Sequence, residues 1–291
     1  YRRQVDRGLD ALEKIPVTEG VRVFKFYSSS IVFKSKDGVL AVDFAQGPIN
    51  NGGEPEQRDT RRAGFYLTPA QRDRLARLVD LSFITNRHHD HADYSLSKRL
   101  LAQSKPVVGP AQLGKLWKDL AGKITVPDFT QPQRIGPVEF VAFLGSQHGR
   151  NGADATGQRV GIPNPDAPDV DSETIVYPLR IGGLVYLQGG ENHVPAGDWL
   201  KHGVALGFMP DLQGSTGQFQ GSRSVDAVLK ELPPRMFLPR HDYEMTHEGG
   251  GNRMTPLFTG GGGKALAAGQ SLVLFWGEHF PLTRADLPKR R

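Results

Sequence analysis

The chain has 291 residues, 38% of them hydrophobic and 23% charged, with a formal charge of +5 and no cysteine. The length supports one large domain or two small ones. No apolar run approaches the ~20 residues of a membrane-spanning helix, so a soluble protein with no membrane partner is expected. The missing cysteine excludes disulfides and thiolate metal sites, which leaves imidazole, carboxylate and amide groups to hold any transition metal and directs attention to the nine histidines. The clearest basic clusters, Arg2-Arg3 and Lys289-Arg290-Arg291, lie near the two ends. No array of basic and aromatic residues accompanies them, which speaks against nucleic acid as a partner. The absence of cysteine and an opening Tyr1 in place of Met lean toward a periplasmic or secreted location.

Val5, Leu9, Leu12 and Ile15 fall at near-helical spacing and predict a leading amphipathic helix over 4–15, ended by Pro16. Val21 and Val23, then Ile31 to Phe33, then Val39 to Val42 read as three short strands, the last delivering Asp43 to its end. Residues 46–64 are rich in Gly, Pro and Asn and predict a loop. Thr68-Pro69-Ala70-Gln71 is a capping-box start for a helix striped by Leu75, Leu78 and Val79. A short strand at Leu81 to Thr85, a helix carrying Leu96, Leu100 and Leu101, and a strand at Pro106 to Val108 complete an α/β unit. Next come a helix striped by Leu113, Leu116, Trp117 and Leu120, and a strand from Val138 to Phe143 running toward His148.

Gly149 to Asp171 reads as a long loop. Thr174 to Leu179 and Leu184 to Leu187, joined at Ile181-Gly182-Gly183, predict a hairpin. Gly203 to Met209 is expected to be a strand, Val225 to Leu232 a helix, and Met236 to Leu238 and Leu272 to Phe275 the last two strands.

The pattern that carries chemistry is Asn86-Arg87-His88-His89-Asp90-His91, directly after a buried strand. Alternate residues of such a turn can converge on one point, and imidazole nitrogen and carboxylate oxygen are the donors a catalytic zinc uses. No Gly-x-Ser-x-Gly sequence occurs to suggest a serine nucleophile.

In this run the chain resembles the metallo-β-lactamase superfamily, whose signature His-x-His-x-Asp-His follows a strand and precedes a helix. Further landmarks fall in the family's order: Asp43 closing a strand, His148 after an apolar strand, Glu191 after Gly190, and His241 in Phe237-Leu238-Pro239-Arg240-His241. The resemblance implies an αββα sandwich. It also implies a single domain over 1–291, with a helical extension over 1–20 and a C-terminal segment over 246–291 completing a sheet.

Carried over by position, Asn86, His88 and His148 surround a first metal; Asp90, His91 and His241 surround a second; and Glu191 stands where the family has a bridging aspartate. Zinc, as one or two ions, is the implied cofactor, with manganese or another divalent metal admitted because an amide oxygen is a weaker zinc donor than imidazole. Asp43, His193, Glu244 and His247 are candidates to orient the ligands. The implied activity is hydrolysis of a small-molecule ester, lactone or phosphoester by metal-activated water, with Asp90 as the catalytic residue. A nucleic-acid or nucleotide phosphodiesterase and a non-catalytic binding protein of the same fold remain alternatives. The sequence leaves the oligomeric state open.

Overall fold

A computed structural model describes residues 1–47, 66–88, 90–146, 151–153, 159–161, 173–188, 202–216, 234–240 and 269–290. The leading helix, α1 (Arg2–Lys14), buries Val5, Leu9 and Leu12, the stripe its spacing predicts. Strands β1 (Val21–Lys25), β2 (Ile31–Lys34) and β3 (Val39–Val42) then form an antiparallel meander. In α2 (Pro69–Leu78), Thr68 and Gln71 close a reciprocal capping box with Pro69 at the first position. Strand β4 (Leu81–Phe83), helix α3 (Tyr94–Ala102) and strand β5 (Val107–Val108) follow, and β3, β4 and β5 run parallel, as strands linked by helical crossovers must. Helix α4 (Gln112–Leu116) and a 3-10 turn at Lys118–Leu120 share the predicted stripe.

The second half of the chain supplies β6 (Gln133–Ile135), β7 (Val138–Phe140) and β8 (Phe143–Ser146), then a small hairpin of β9 (Asn151–Ala153) and β10 (Arg159–Gly161). That hairpin lies inside the stretch predicted to be loop from Gly149 to Asp171; its residues carry almost no apolar alternation, so pairing rather than pattern makes the strands. Next come β11 (Glu173–Ile181), β12 (Leu184–Gln188), β13 (Leu212–Thr216), β14 (Met236–Arg240) and β15 (His279–Leu282).

Two mixed sheets result, ordered β15-β1-β2-β3-β4-β5 and β14-β13-β12-β11-β7-β6. Strands β7 and β8 keep one register along β11, with Phe140 opposite Leu179 and Phe143 opposite Val176. The ladder breaks between them where Val141 donates to the carbonyl of Pro178 and the proline has no N–H to return.

Two predicted strands are corrected. Residues 202–205 are helical and overlap the start of the strand expected over Gly203 to Met209: Leu206 N–H donates to His202 and Phe208 N–H to Gly203, and Gly207 takes a positive φ. The strand expected over Leu272 to Phe275 forms instead at His279–Leu282, because there the chain pairs with the open edge of β1, whereas Ser271 makes a single bridge to Phe237. The helix expected over Val225 to Leu232 and most of the loop over 46–64 lie outside the described residues.

The inner faces of the sheets meet in one core that contains Val23, Phe33, Val42 and Phe83 from the first sheet and Phe140, Tyr177, Leu179 and Tyr186 from the second. Edge-on aromatic pairs cross it, Phe83 to Phe140 at 4.8 Å and Phe83 to Tyr177 at 5.1 Å between ring centroids. Opposite residues of the same strands, Phe24, Val32 and Ala41, pack outward beneath α1, α2 and α3 with Leu9, Leu75 and Leu100. Outside the second sheet, Phe143, Val176, Val185 and Leu187 pack with Phe208. Helices α1, α2 and α3 cover the outer face of the first sheet, and among the described residues the helical turn at 202–205 lies against the outer face of the second, the layering of an αββα sandwich. At one end the sheets nearly touch: Gly182 and Gly183 turn β11 into β12 with positive φ at both positions, and a Cβ on Gly182 would collide with the carbonyl of Gly20.

Candidate metal centre

The site lies at the other end of the sandwich, where β3 and β4 finish side by side. Asp43 follows β3 with a φ of 45°, a left-handed conformation that a non-glycine residue holds only when its surroundings fix it. The fixing contacts are present. Its carboxylate accepts the Thr85 N–H at 2.7 Å and the Thr85 hydroxyl at 2.9 Å. It also contacts His91 Nδ1 at 2.8 Å and accepts from Arg240 Nη1 at 3.1 Å and from Gln188 Nε2. Asp43, Thr85, His91, Gln188 and Arg240 are all fully buried.

The loop between β4 and α3 is held at both ends. Asn86 Oδ1 accepts the His88 N–H at 2.8 Å, the side-chain turn that asparagine favours, and Asp93 caps α3 by accepting the Leu96 N–H at 2.8 Å. His88 gives its carbonyl to the N–H groups of His91 and Ala92. This geometry turns Asp90 and His91 into the interior, both with no exposure, while Arg87 and His88 stay half-buried. Asp43 fixes Nδ1 of His91, and Nε2 on the far side of the ring lies 3.4 Å from Asp90 Oδ2.

Electrostatics follow from that line of groups. Burial alone would lower the pKa of His91, but the carboxylates of Asp90 and Asp43 outweigh it and push the imidazole up to about 10. Burial would likewise raise Asp43; the charges of His91 and Arg240 and the Thr85 N–H hold it below the usual carboxylate range. The line of groups from Asp43 through His91 to Asp90 therefore favours a positive charge, whether a proton or a cation.

Of the residues singled out from the sequence, Asp43, Asp90 and His91 come together, Asn86 shapes the loop beside them, and His88 lies in the same turn. His89, His148, Glu191, His193, His241, Glu244 and His247 lie outside the described residues. Among the described residues, no three His, Asp or Glu side chains gather closely enough to complete a metal site. The donors present nonetheless suit one: two ligands at ~2.1 Å from a tetrahedral ion stand about 3.4 Å apart, the separation of Asp90 Oδ2 and His91 Nε2.

Sequence reasoning missed Gln188 and Arg240. Both close apolar strands, and Arg240 is the only charged residue in Met236-Phe237-Leu238-Pro239-Arg240, a signal that could have marked it. Tyr186 supports Gln188 through a hydroxyl-to-amide hydrogen bond. Gly214 makes room for both neighbours: a Cβ there would collide with the Tyr186 hydroxyl and lie 2.8 Å from Arg240 Cδ.

No protein-family model matches the sequence, and no curated protein matches it. Solved structures do match in shape. An isothiocyanate hydrolase from Delia radicum gut bacteria is similar at 12% identity and a TM-score of 0.58, covering 90% of this chain and 99% of its own. A metallo-β-lactamase fold protein from Bacillus subtilis is similar at 16% identity and a TM-score of 0.50, again over 90% and 99%. The chain has the metallo-β-lactamase fold. A possible metal-dependent hydrolase from Veillonella parvula is also similar, at 15% identity and a TM-score of 0.57, over 91% of this chain and 100% of its own. In metallo-β-lactamase-fold terms, the Asp43 network and the Asn86–His91 loop sit at the strand ends of the first sheet, joined there by Gln188 and Arg240 from the second.

Proposed function

We propose that the chain is a metal-dependent hydrolase of a small ester, lactone or phosphoester. The observation that carries this reading is the buried relay from Asp43 through His91 to Asp90, which holds an imidazole nitrogen and a carboxylate oxygen 3.4 Å apart, a separation that two ligands of one ion can have. The hydrolase names of two similar structures support it. His88 and Asn86 lie in the same loop, and His148, Glu191 and His241 are the proposed remaining ligands. A divalent metal such as zinc supplies water activation and charge stabilisation when bound. With a metal in place of the Nε2 proton, Asp43 would keep the remaining proton on Nδ1 of His91, and Asp90 would orient the attacking water or carry its proton.

Metal content of the purified protein, followed by an ester, lactone and phosphoester screen before and after chelation, tests the proposal. Chelation should abolish turnover, and Asp90→Ala should lower it by ~10²-fold or more at saturating metal. Full turnover in verified metal-free protein would overturn the reading.

A second reading, a binding protein of this fold without hydrolysis, is favoured by one observation: the Asn86 amide oxygen is engaged by the His88 N–H. Gain of turnover in Asn86→His separates a weakened catalytic site from a binding site.

A further inference from the structure

Strands β12, β13 and β14 run parallel, so their ends lie at the Asp43 network and their starts lie together at the opposite edge of the second sheet, ~15 Å away along strands of five residues. A cavity of about 580 Å³ opens at those starts, and its walls carry Arg180, Arg235, Arg284 and Arg290 around Asp211. Three of the guanidiniums converge on this one carboxylate: Arg290 Nη2 at 3.3 Å, Arg284 Nη2 at 3.4 Å and Arg235 Nη1 at 3.7 Å. Asp211 also accepts the Val185 N–H at 3.1 Å. The fourth, Arg180, pairs with Glu139 at 2.7 Å and lies over the ring of Phe208.

Backbone carbonyls hold these arginines in place from behind. Arg235 donates to Leu287 and Pro288, Arg284 to Gly183, Arg290 to Pro210 and Arg180 to Gly207, each at 2.7–2.9 Å. Their positions are thus set before any ligand arrives, and a guanidinium fork has further N–H groups to offer. A clamp for residues 284–290 would need one arginine on Asp211. Three on the same carboxylate leave uncompensated positive charge, and burial together with the charges of Arg235 and Arg284 lowers the pKa of Arg290, with Asp211 acting against them.

We propose that this arginine cavity is a second binding site, separate from the metal centre, for a compact anion bearing phosphate groups, either free or carried on a small organic molecule. Two or more negative charges are needed to balance four guanidiniums against two carboxylates, and planar forks suit tetrahedral oxyanions through paired hydrogen bonds. The proposal does not depend on the hydrolase reading.

Calorimetric titration of the chelator-treated chain with pyrophosphate tests it, with phosphate and ADP as further probes. Saturable binding of one pyrophosphate per chain is expected, tighter than phosphate. Arg284→Gln/Arg290→Gln should weaken it at least ~tenfold, and Asp90→Asn, at the other end of the sheet, should leave it unchanged. Arg284→Gln alone, at a side chain 67% exposed, guards against loss of fold in the double variant and should weaken binding in the same direction. ADP binding more tightly than pyrophosphate would assign the site to an organic phosphate, and the reverse order would assign it to the free anion. Absence of saturable binding, equal binding by the arginine variants, or loss of binding in Asp90→Asn instead would overturn the proposal.

Discussion

The two ends of β12, β13 and β14 solve the same problem in opposite ways. At their starts, guanidiniums outnumber carboxylates and stay partly in water; at their ends, a carboxylate at the centre of a fully buried network gathers His91, Gln188, Arg240 and Thr85. Water screens the first arrangement, so its charge excess is tolerable and weakly coupled to stability. Nothing screens the second, so each member depends on its partners.

Removing the hub should have the largest effect. Asp43→Ala removes the buried carboxylate that faces Arg240 and His91 Nδ1 and deprives the Thr85 N–H of its acceptor. It is expected to cost about 3–5 kcal/mol in urea unfolding. A loss below ~1 kcal/mol would show that the two ends are not so different.

The next effect is a pH dependence. In chelator-treated protein, His91 stays protonated up to about 10, against 6.5 in the unfolded chain, so it contributes stability fully present below 6.5 and lost as pH rises through about 10. Asp43, with its pKa lowered, contributes in the opposite sense and loses its share at acid pH. Thermal unfolding between about pH 6.5 and 10 should therefore show declining stability without metal and a smaller decline with saturating zinc, where a cation replaces the proton. Stability of the chelated protein that rises across this window would remove His91 as the positive group.

The smallest effect belongs to the arginine end. Arg284→Gln, removing a partly exposed partner of Asp211, should change stability by ~0–1 kcal/mol. A loss as large as that of Asp43→Ala would make the arginine cluster a structural clamp of equal rank.

Much of this arrangement could be read from the sequence because it rests on period and punctuation. The apolar strands around Asp43, the capping box at Thr68 and the paired glycines after Ile181 each show their structure locally. A strand end marks Asp43 and a dense polar turn marks Asp90 and His91, and the fold brings these three side chains together. What stayed hidden depends on distant partners. Leu-Gln-Gly-Ser-Thr at β13 has almost no apolar signal and is a strand because β12 and β14 flank it. Leu272 to Phe275 is an unbroken apolar run yet forms no strand, while His279–Leu282, with Pro281 inside it, takes the edge beside β1. Gln188 and Arg240 look like ordinary strand ends until the sheets stack and bring them to Asp43. The role of Asn86 in holding the turn competes with its ligand reading at atomic detail, below what spacing can resolve.

The near-contact of Gly182 with Gly20 bears on how such a molecule could change over generations. At that margin the distance between sheets is set by main chain, like pages sewn at the spine, and almost any side chain added to Gly182 would force the binding apart. At the opposite margin the distance is set by side chains, those of Asp43, Gln188 and Arg240. Width at the Asp43 end can therefore be revised only by replacing mutually dependent side chains together, while the sewn edge keeps the volume in register.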